Sequence, residues 1–163
     1  MEEKLLKAVN EQINKELESA YIYFAMSAQC ENMRLRGFAN WLKVQAQEEI
    51  KHAMKFYQHL IDRNQKVELI DIKAPKKEFT NLTEIFKAAY EHEKYITKSI
   101  HELQDVAEEV KDKDIISLID WFNTEQIEEE KSTSDVLHKL EFSKEQPSAI
   151  FALDSQLTKR EDD

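Results

Sequence analysis

The sequence predicts an all-α protein: a four-helix bundle with one long crossover connection plus a short C-terminal fifth helix. Three observations carry that expectation. Four long segments repeat their apolar residues every three or four positions, the spacing of helix faces packed at shallow angles in a bundle. Turn-forming residues are scarce, with one Gly and two Pro in 163 residues. That scarcity excludes a β-sandwich or a glycine-rich phosphate loop, which need turn chemistry in quantity. The links between segments are short, except for one that spans residues 65–81.

The first helix is expected from about Glu2 to Met33, with Leu6, Val9, Ile13, Glu16, Ala20, Tyr23, Ser27 and Cys30 on one stripe and Gly37 following as punctuation. The second runs from about Phe38 to Asn64, with Leu42, Gln45, Glu49, His52, Phe56 and His59 in register. The third opens at Asn81, an N-cap with Glu84 three residues on, as in a capping box. Its stripe is Leu82, Phe86, Ala89, Glu93, Ile96, Ile100 and Leu103. The fourth starts near Asp112 to Asp114 and reads Ile115, Ile119, Phe122, Gln126, Glu129, Thr133, Val136 and Leu140. After Pro147, the residues Ala149, Ile150, Phe151, Leu153 and Leu157 suggest a short fifth helix capped by Ser148. A helix that short needs something to pack on.

Loop lengths set the topology. The first and second helices, joined around Arg34 to Gly37, must be antiparallel, as must the third and fourth, joined around Val110 to Lys113. The stretch 65–81 can reach roughly 56 Å when extended, and a 28-residue helix is about 42 Å long. The link can therefore run the whole bundle and leave the second and third helices parallel. Residues 1–142 are expected to form the bundle, with 143–163 a short helix and tail of the same domain.

Composition bounds the partners. Lys and Arg number 23 against 33 Asp and Glu, a net charge of −10. This balance disfavours nucleic acid, whose phosphates need clustered basic residues. No apolar run approaches the ~20 residues of a membrane span, so no membrane partner is expected. The N-terminus, Met1-Glu2-Glu3-Lys4, lacks a signal-peptide core. The lone Cys30 cannot form an intrachain disulfide or a Cys₄ metal site. A soluble, cytoplasmic protein is the expectation.

Each stripe is interrupted near its middle by an acid: Glu16, Glu49, Glu93 and Glu129. A buried, unpaired carboxylate costs several kcal/mol, so four of them facing one another need an explanation, and a bound cation supplies one. Glu49 and His52 are three apart and point to one face. Gln126 and Glu129 repeat that spacing on the fourth helix. Carboxylate and imidazole donors suit first-row metals such as iron, manganese or zinc. Salt bridges, or a phase error that leaves the acids in solvent, are the competing readings.

The chain resembles the non-haem bacterial ferritins over almost its full length. The residues that carry the resemblance are Asn10 to Leu17, Gln45 to His52, Glu93 in its apolar stripe, and Glu125 to Glu130. The resemblance implies a ferritin-like bundle with a ferroxidase centre in each subunit. Glu16, Glu49 and His52 would bind a first iron, and Glu49 would bridge to a second held by Glu93 and Glu129. Gln126 would be a weak ligand or hydrogen-bond donor. A third iron position on the cavity side would use Glu48, Glu125 and Glu128, alone or sharing Glu129, with a solvated acidic face as the alternative. Tyr23 would be an electron donor during oxygen reduction, or simply a core aromatic bonded to a ligand carboxylate. The implied function is storage and detoxification of iron: Fe(II) oxidised by O2 or H2O2, and ferric mineral held inside a homo-oligomer of 24 subunits.

Related families fit less well. Di-iron peroxidases and oxygenases on this bundle carry a second E-x-x-H, but here the fourth helix reads Gln126-Ile127-Glu128-Glu129. Bacterioferritins place a haem-ligand methionine directly after the E of E-x-x-H, where this chain has Ile50, so no haem is expected. Mini-ferritins build their site between subunits. Animal ferritins carry channel acids ten and seven residues before the glutamine, where this chain has Ile116 and Ile119. A non-catalytic helical interaction protein is the rival outside this group.

Overall fold

The structure is a computed structural model that describes residues 1–161. The last two residues of the expected segment 143–163 therefore lie outside the described residues. Its ordered elements are α1 (Glu3–Asn32), α2 (Arg36–Asp62), α3 (Leu82–Glu109), α4 (Lys113–Ser143) and α5 (Pro147–Leu157). None of these helices is long and apolar enough to cross a membrane.

The long crossover is stitched to α1 by side-chain amides. Asn10 donates to Leu6 O and Lys66 O, and its Oδ1 accepts from Glu68 N at 2.7 Å. One turn later Asn14 donates to Glu68 O and accepts from Ile70 N. At the far end of α1, Gln29 exchanges two bonds with Phe79, at 2.8 and 3.0 Å. These amides supply partners for crossover backbone groups that belong to no ladder. The link therefore runs along α1 from its start to its end. Because α1 and α2 are antiparallel, α3 begins beside the start of α2, and α2 and α3 are parallel as expected.

Helix ends follow local chemistry, with two corrections. Asn81 caps α3 by accepting from Glu84 N at 2.8 Å, and Asp112 caps α4 by accepting from Ile115 N. Gly37 does not close α1; it lies in the first turn of α2. Ser148 does not cap α5 either. Gln146 holds the cap position without a side-chain bond, and Pro147 fills the first turn, where a missing N–H is harmless.

Asp154 explains the glycine. Its carboxylate on α5 accepts from Gly37 N at 2.8 Å and Phe38 N at 3.1 Å. It thus satisfies orphan N–H groups at the start of α2. A Cβ at position 37 would lie 1.7 Å from Asp154 O, so only glycine lets the two backbones meet. Ile150 and Leu153 then bury against the Phe38, Leu42 and Phe86 end of the core.

The core falls into two apolar clusters. One holds Tyr23, Phe38, Phe86 and Leu140; the other holds Leu5, Ile13, Phe56, Ile100 and Phe122. Ile119 is fully buried in the second, and Ile116 packs against it. Between the clusters lies a belt of buried polar side chains from α1 to α4.

Candidate metal centre

Glu16 from α1, Glu49 and His52 from α2, Glu93 from α3, and Gln126 and Glu129 from α4 are all buried and meet in this belt. Helical spacing puts them there: each lies on the stripe that also carries core residues one and two turns away. Ligand atoms of Glu16, Glu49 and His52 lie within 4.8 Å of one another, and so do those of Glu49, Glu93 and Glu129. Glu49 belongs to both groups, so it sits where two cations would be bridged. One carboxylate oxygen, Glu16 Oε2, is buried without a hydrogen-bond partner. An orphaned polar oxygen in a dry interior is costly, and a cation removes that cost. Hard oxygen donors with one imidazole fit a divalent first-row ion.

Two glutamines orient the carboxylates. Gln12 donates to Glu16 Oε1 at 2.8 Å and accepts from Ser99, which in turn accepts from Lys15 at 2.7 Å. Gln45 donates to Glu49 Oε1 at 3.0 Å and Glu129 Oε2 at 2.6 Å. Neither was expected to serve the site, although a signal exists: each stands four residues before a buried glutamate on its own helix. Gln126 donates to Glu93 Oε2 at 3.2 Å. The Tyr23 hydroxyl donates to Glu93 Oε1.

Without a cation the belt must share protons. Burial and the Glu49 charge push Glu16 up to about 8, and burial with Glu49 does the same to Glu129. Burial, with Glu49 and Glu129 beside it, holds Glu93 well above the carboxylate range. Burial also pushes on Glu49, but its bonds to His52 and Gln45 prevail and hold it below the usual value. Burial opposes a charge on His52, yet Glu125 and Glu49 outweigh it and raise the imidazole to about 11. Tyr23 is pushed well up by burial and by Glu93, so its hydroxyl keeps its proton.

The three acids expected at a further position separate. Glu125 is half-buried and lies 3.7 Å from His52 Nε2. With His52 and Glu129 it forms a third group of close ligand atoms. Glu48 is held by Arg160 at 2.7 Å. Glu128 is exposed. All three nevertheless line one cavity of about 380 Å³. Trp121 packs edge-on against His52 and carries Lys55 over its face at 4.2 Å. His92 lies 2.7 Å from Ser19 Oγ and edge-on to Tyr23. Cys30 is a buried thiol pushed up to about 12 by burial, and is therefore unreactive.

A bundle with one long crossover and a buried carboxylate–histidine belt from four helices defines the ferritin-like class. The comparisons agree. The sequence model of the Ferritin-like domain matches residues 6–143, and the chain belongs to the ferritin family. It is 36% identical over 157 residues to a probable bacterial non-heme ferritin-like protein of Haemophilus influenzae, covering 96% of this chain and 95% of that one. It is 33% identical over 160 residues to the bacterial non-heme ferritin of Staphylococcus aureus, covering 98% and 96%. The open-pore ferritin of Archaeoglobus fulgidus superposes with a TM-score of 0.97 at 38% identity, over 99% of this chain and 98% of that one.

Proposed function

We propose that this protein stores iron by oxidising Fe(II) at the paired site between its helices. The observation that carries the reading is the convergence of Glu16, Glu49, His52, Glu93 and Glu129 into two cation-sized groups sharing Glu49. In this reading Glu16, Glu49 and His52 bind one Fe(II), and Glu49, Glu93 and Glu129 bind the other. Two Fe(II) neutralise four carboxylates. Each iron gives up one electron, and two electrons with two protons convert O2 to H2O2, or H2O2 to two waters. Oxidation to Fe(III) leaves two positive charges uncompensated by the ligands, which oxide or hydroxide formed from water would balance in the product that passes to a mineral.

The chain's own groups manage the charge. Glu16 and Glu129, which hold protons up to about pH 8 in the empty belt, surrender them as cations enter and take the protons' place. His52 must also lose its proton to ligate. Tyr23 and Gln126 hold Glu93 in place, and Tyr23 stands close enough to the centre to donate an electron. Glu48, Glu125 and Glu128 offer a further iron position along the cavity they line.

Assembly into a hollow homo-oligomer of 24 subunits is the natural extension. It is supported by the exposed Phe142, Phe151 and Ile127, apolar side chains that a partner surface would cover. A crystal soaked anaerobically in Fe(II) tests the reading, with anomalous scattering recorded at the iron edge. Two peaks flanking Glu49 are expected; density only at surface acids would overturn it.

A further inference from the structure

The C-terminal tail reaches the rim of the acid belt through one residue, Arg160. Asn40 on α2 donates to the tail carbonyls of Leu157, Thr158 and Arg160, the last at 3.0 Å. The Arg160 guanidinium lies 4.1 Å from the centroid of the Trp41 ring and donates to Trp41 O. Its Nη2 donates to Gln45 Oε1 at 2.8 Å and to Glu48 Oε2 at 2.7 Å. Gln45 is the residue whose other end donates to Glu49 and Glu129. A single fork thus ties the tail to a rim acid and to the amide that orients two buried carboxylates.

Such a contact is strong. A guanidinium paired with a carboxylate, stacked on an indole and largely withdrawn from solvent gains from all three. Its side chain is 19% exposed and that of Glu48 is 14% exposed. Arg160 also lines the cavity of about 380 Å³ with Glu48, Glu125, Glu128, Glu129 and Asp135. The guanidinium pairs with one of these acids, Glu48, and so sets a positive charge at the wall of the cavity.

We propose that Arg160 is a tail-borne counter-cation that holds Glu48 in the iron-free protein and must be displaced before a divalent ion can take that carboxylate. Binding of an ion at Glu48 and docking of residues 158–161 are then mutually exclusive, and each weakens the other equally. Arg160 is a positioning residue, acting on the buried carboxylates only through Gln45. The inference rests on the proposed role of Glu48 in iron binding.

Zn(II), which is redox-inert, separates the outcomes. It is titrated calorimetrically into the iron-free assembled protein and into Arg160→Gln and Arg160→Lys. Two tight sites per subunit are expected in all three. A third, weaker site should tighten at least tenfold in Arg160→Gln. It should tighten less in Arg160→Lys, which keeps the charge but loses the fork and the stack on Trp41. Amide exchange in the unsubstituted protein gives a second readout, independent of whether the variants assemble. Saturating Zn(II) should speed exchange across residues 158–161 at least fivefold, and Glu48→Gln should abolish that response. An unchanged third affinity in Arg160→Gln, or a tail indifferent to Zn(II), overturns the inference and leaves the paired site standing. Absence of the two tight sites would instead overturn the proposed function, and this inference with it.

Discussion

Glu49 and Glu129, on different helices, share one donor: the Gln45 amide reaches both, at 3.0 and 2.6 Å. In a belt crowded with negative charge, a neutral donor between two carboxylates fixes their spacing without neutralising either. It leaves their remaining oxygens for a cation. Removing it should be felt as a loss of geometry. Gln45→Ala is expected to weaken Zn(II) binding at the paired site roughly 10- to 100-fold, as loss of an orienting partner does elsewhere. Calorimetric titration checks this.

Direct donors should matter more. Glu129→Ala and His52→Ala are each expected to slow the initial rate of Fe(II) oxidation by about 100-fold or more, at or beyond the upper range for loss of a supporting residue. The chain should still fold, because both apolar clusters remain intact. Stopped-flow absorbance of ferric product, with sedimentation to confirm assembly, tests the pair. Initial rates equal to the parent's in both variants would count decisively against the assigned centre.

Tyr23→Phe removes the hydroxyl that donates to Glu93. The ring stays in the core, so the change is chemical rather than steric. An unsatisfied buried partner costs about 1–3 kcal/mol, and thermal unfolding should reveal a loss in that range. If Tyr23 also supplies an electron, rapid-freeze electron paramagnetic resonance during turnover should show a tyrosyl signal that the variant lacks.

The proton content of the belt makes metal-free stability depend on pH. Glu16 and Glu129 titrate near 8 when folded and near 4.5 when unfolded. Their contribution is full below about 4.5 and disappears as pH rises through 8. His52 works in the same direction. Its folded value of about 11 exceeds the ordinary 6.5, so its contribution fades between those values. The iron-free protein should therefore melt at a lower temperature at pH 9 than at pH 7. Saturating Zn(II) should narrow the gap, because the ion replaces the protons. Binding at pH 7 in weak buffer should release protons, and the release should shrink above pH 8. A melting temperature that rises from pH 7 to 9 would contradict these assignments.

Docking of α5 hinges on Gly37 and Asp154. Asp154→Ala removes the acceptor for two α2 amides and should cost about 1–2 kcal/mol, as loss of a cap does. Gly37→Ala should cost more, about 3 kcal/mol or above, because the new methyl meets a backbone carbonyl rather than a flexible side chain. Chemical denaturation of the two variants ranks them, and the reverse order would disprove the account.

Helical periodicity made much of this protein legible. The stripes through Glu16, Glu49, Glu93 and Glu129 located the belt because residues three and four apart share a face wherever a helix packs. The Glu49–His52 spacing marked a chelating pair for the same reason. The seventeen residues of the crossover were enough to argue that α2 and α3 are parallel. Gln12 and Gln45 were equally visible at i−4 from their glutamates, but their meaning depends on what lies across the bundle.

Composition, stripe spacing and loop length by themselves determined the helices, their directions and the level at which the acids sit, since these depend on residues close together in the chain. The tertiary structure alone decided that Asp154 caps a helix 117 residues away, and that Arg160 stands over Trp41 against Glu48. Those contacts depend on where α5 comes to rest on α2. No local periodicity records the approach of two backbones that a single glycine permits.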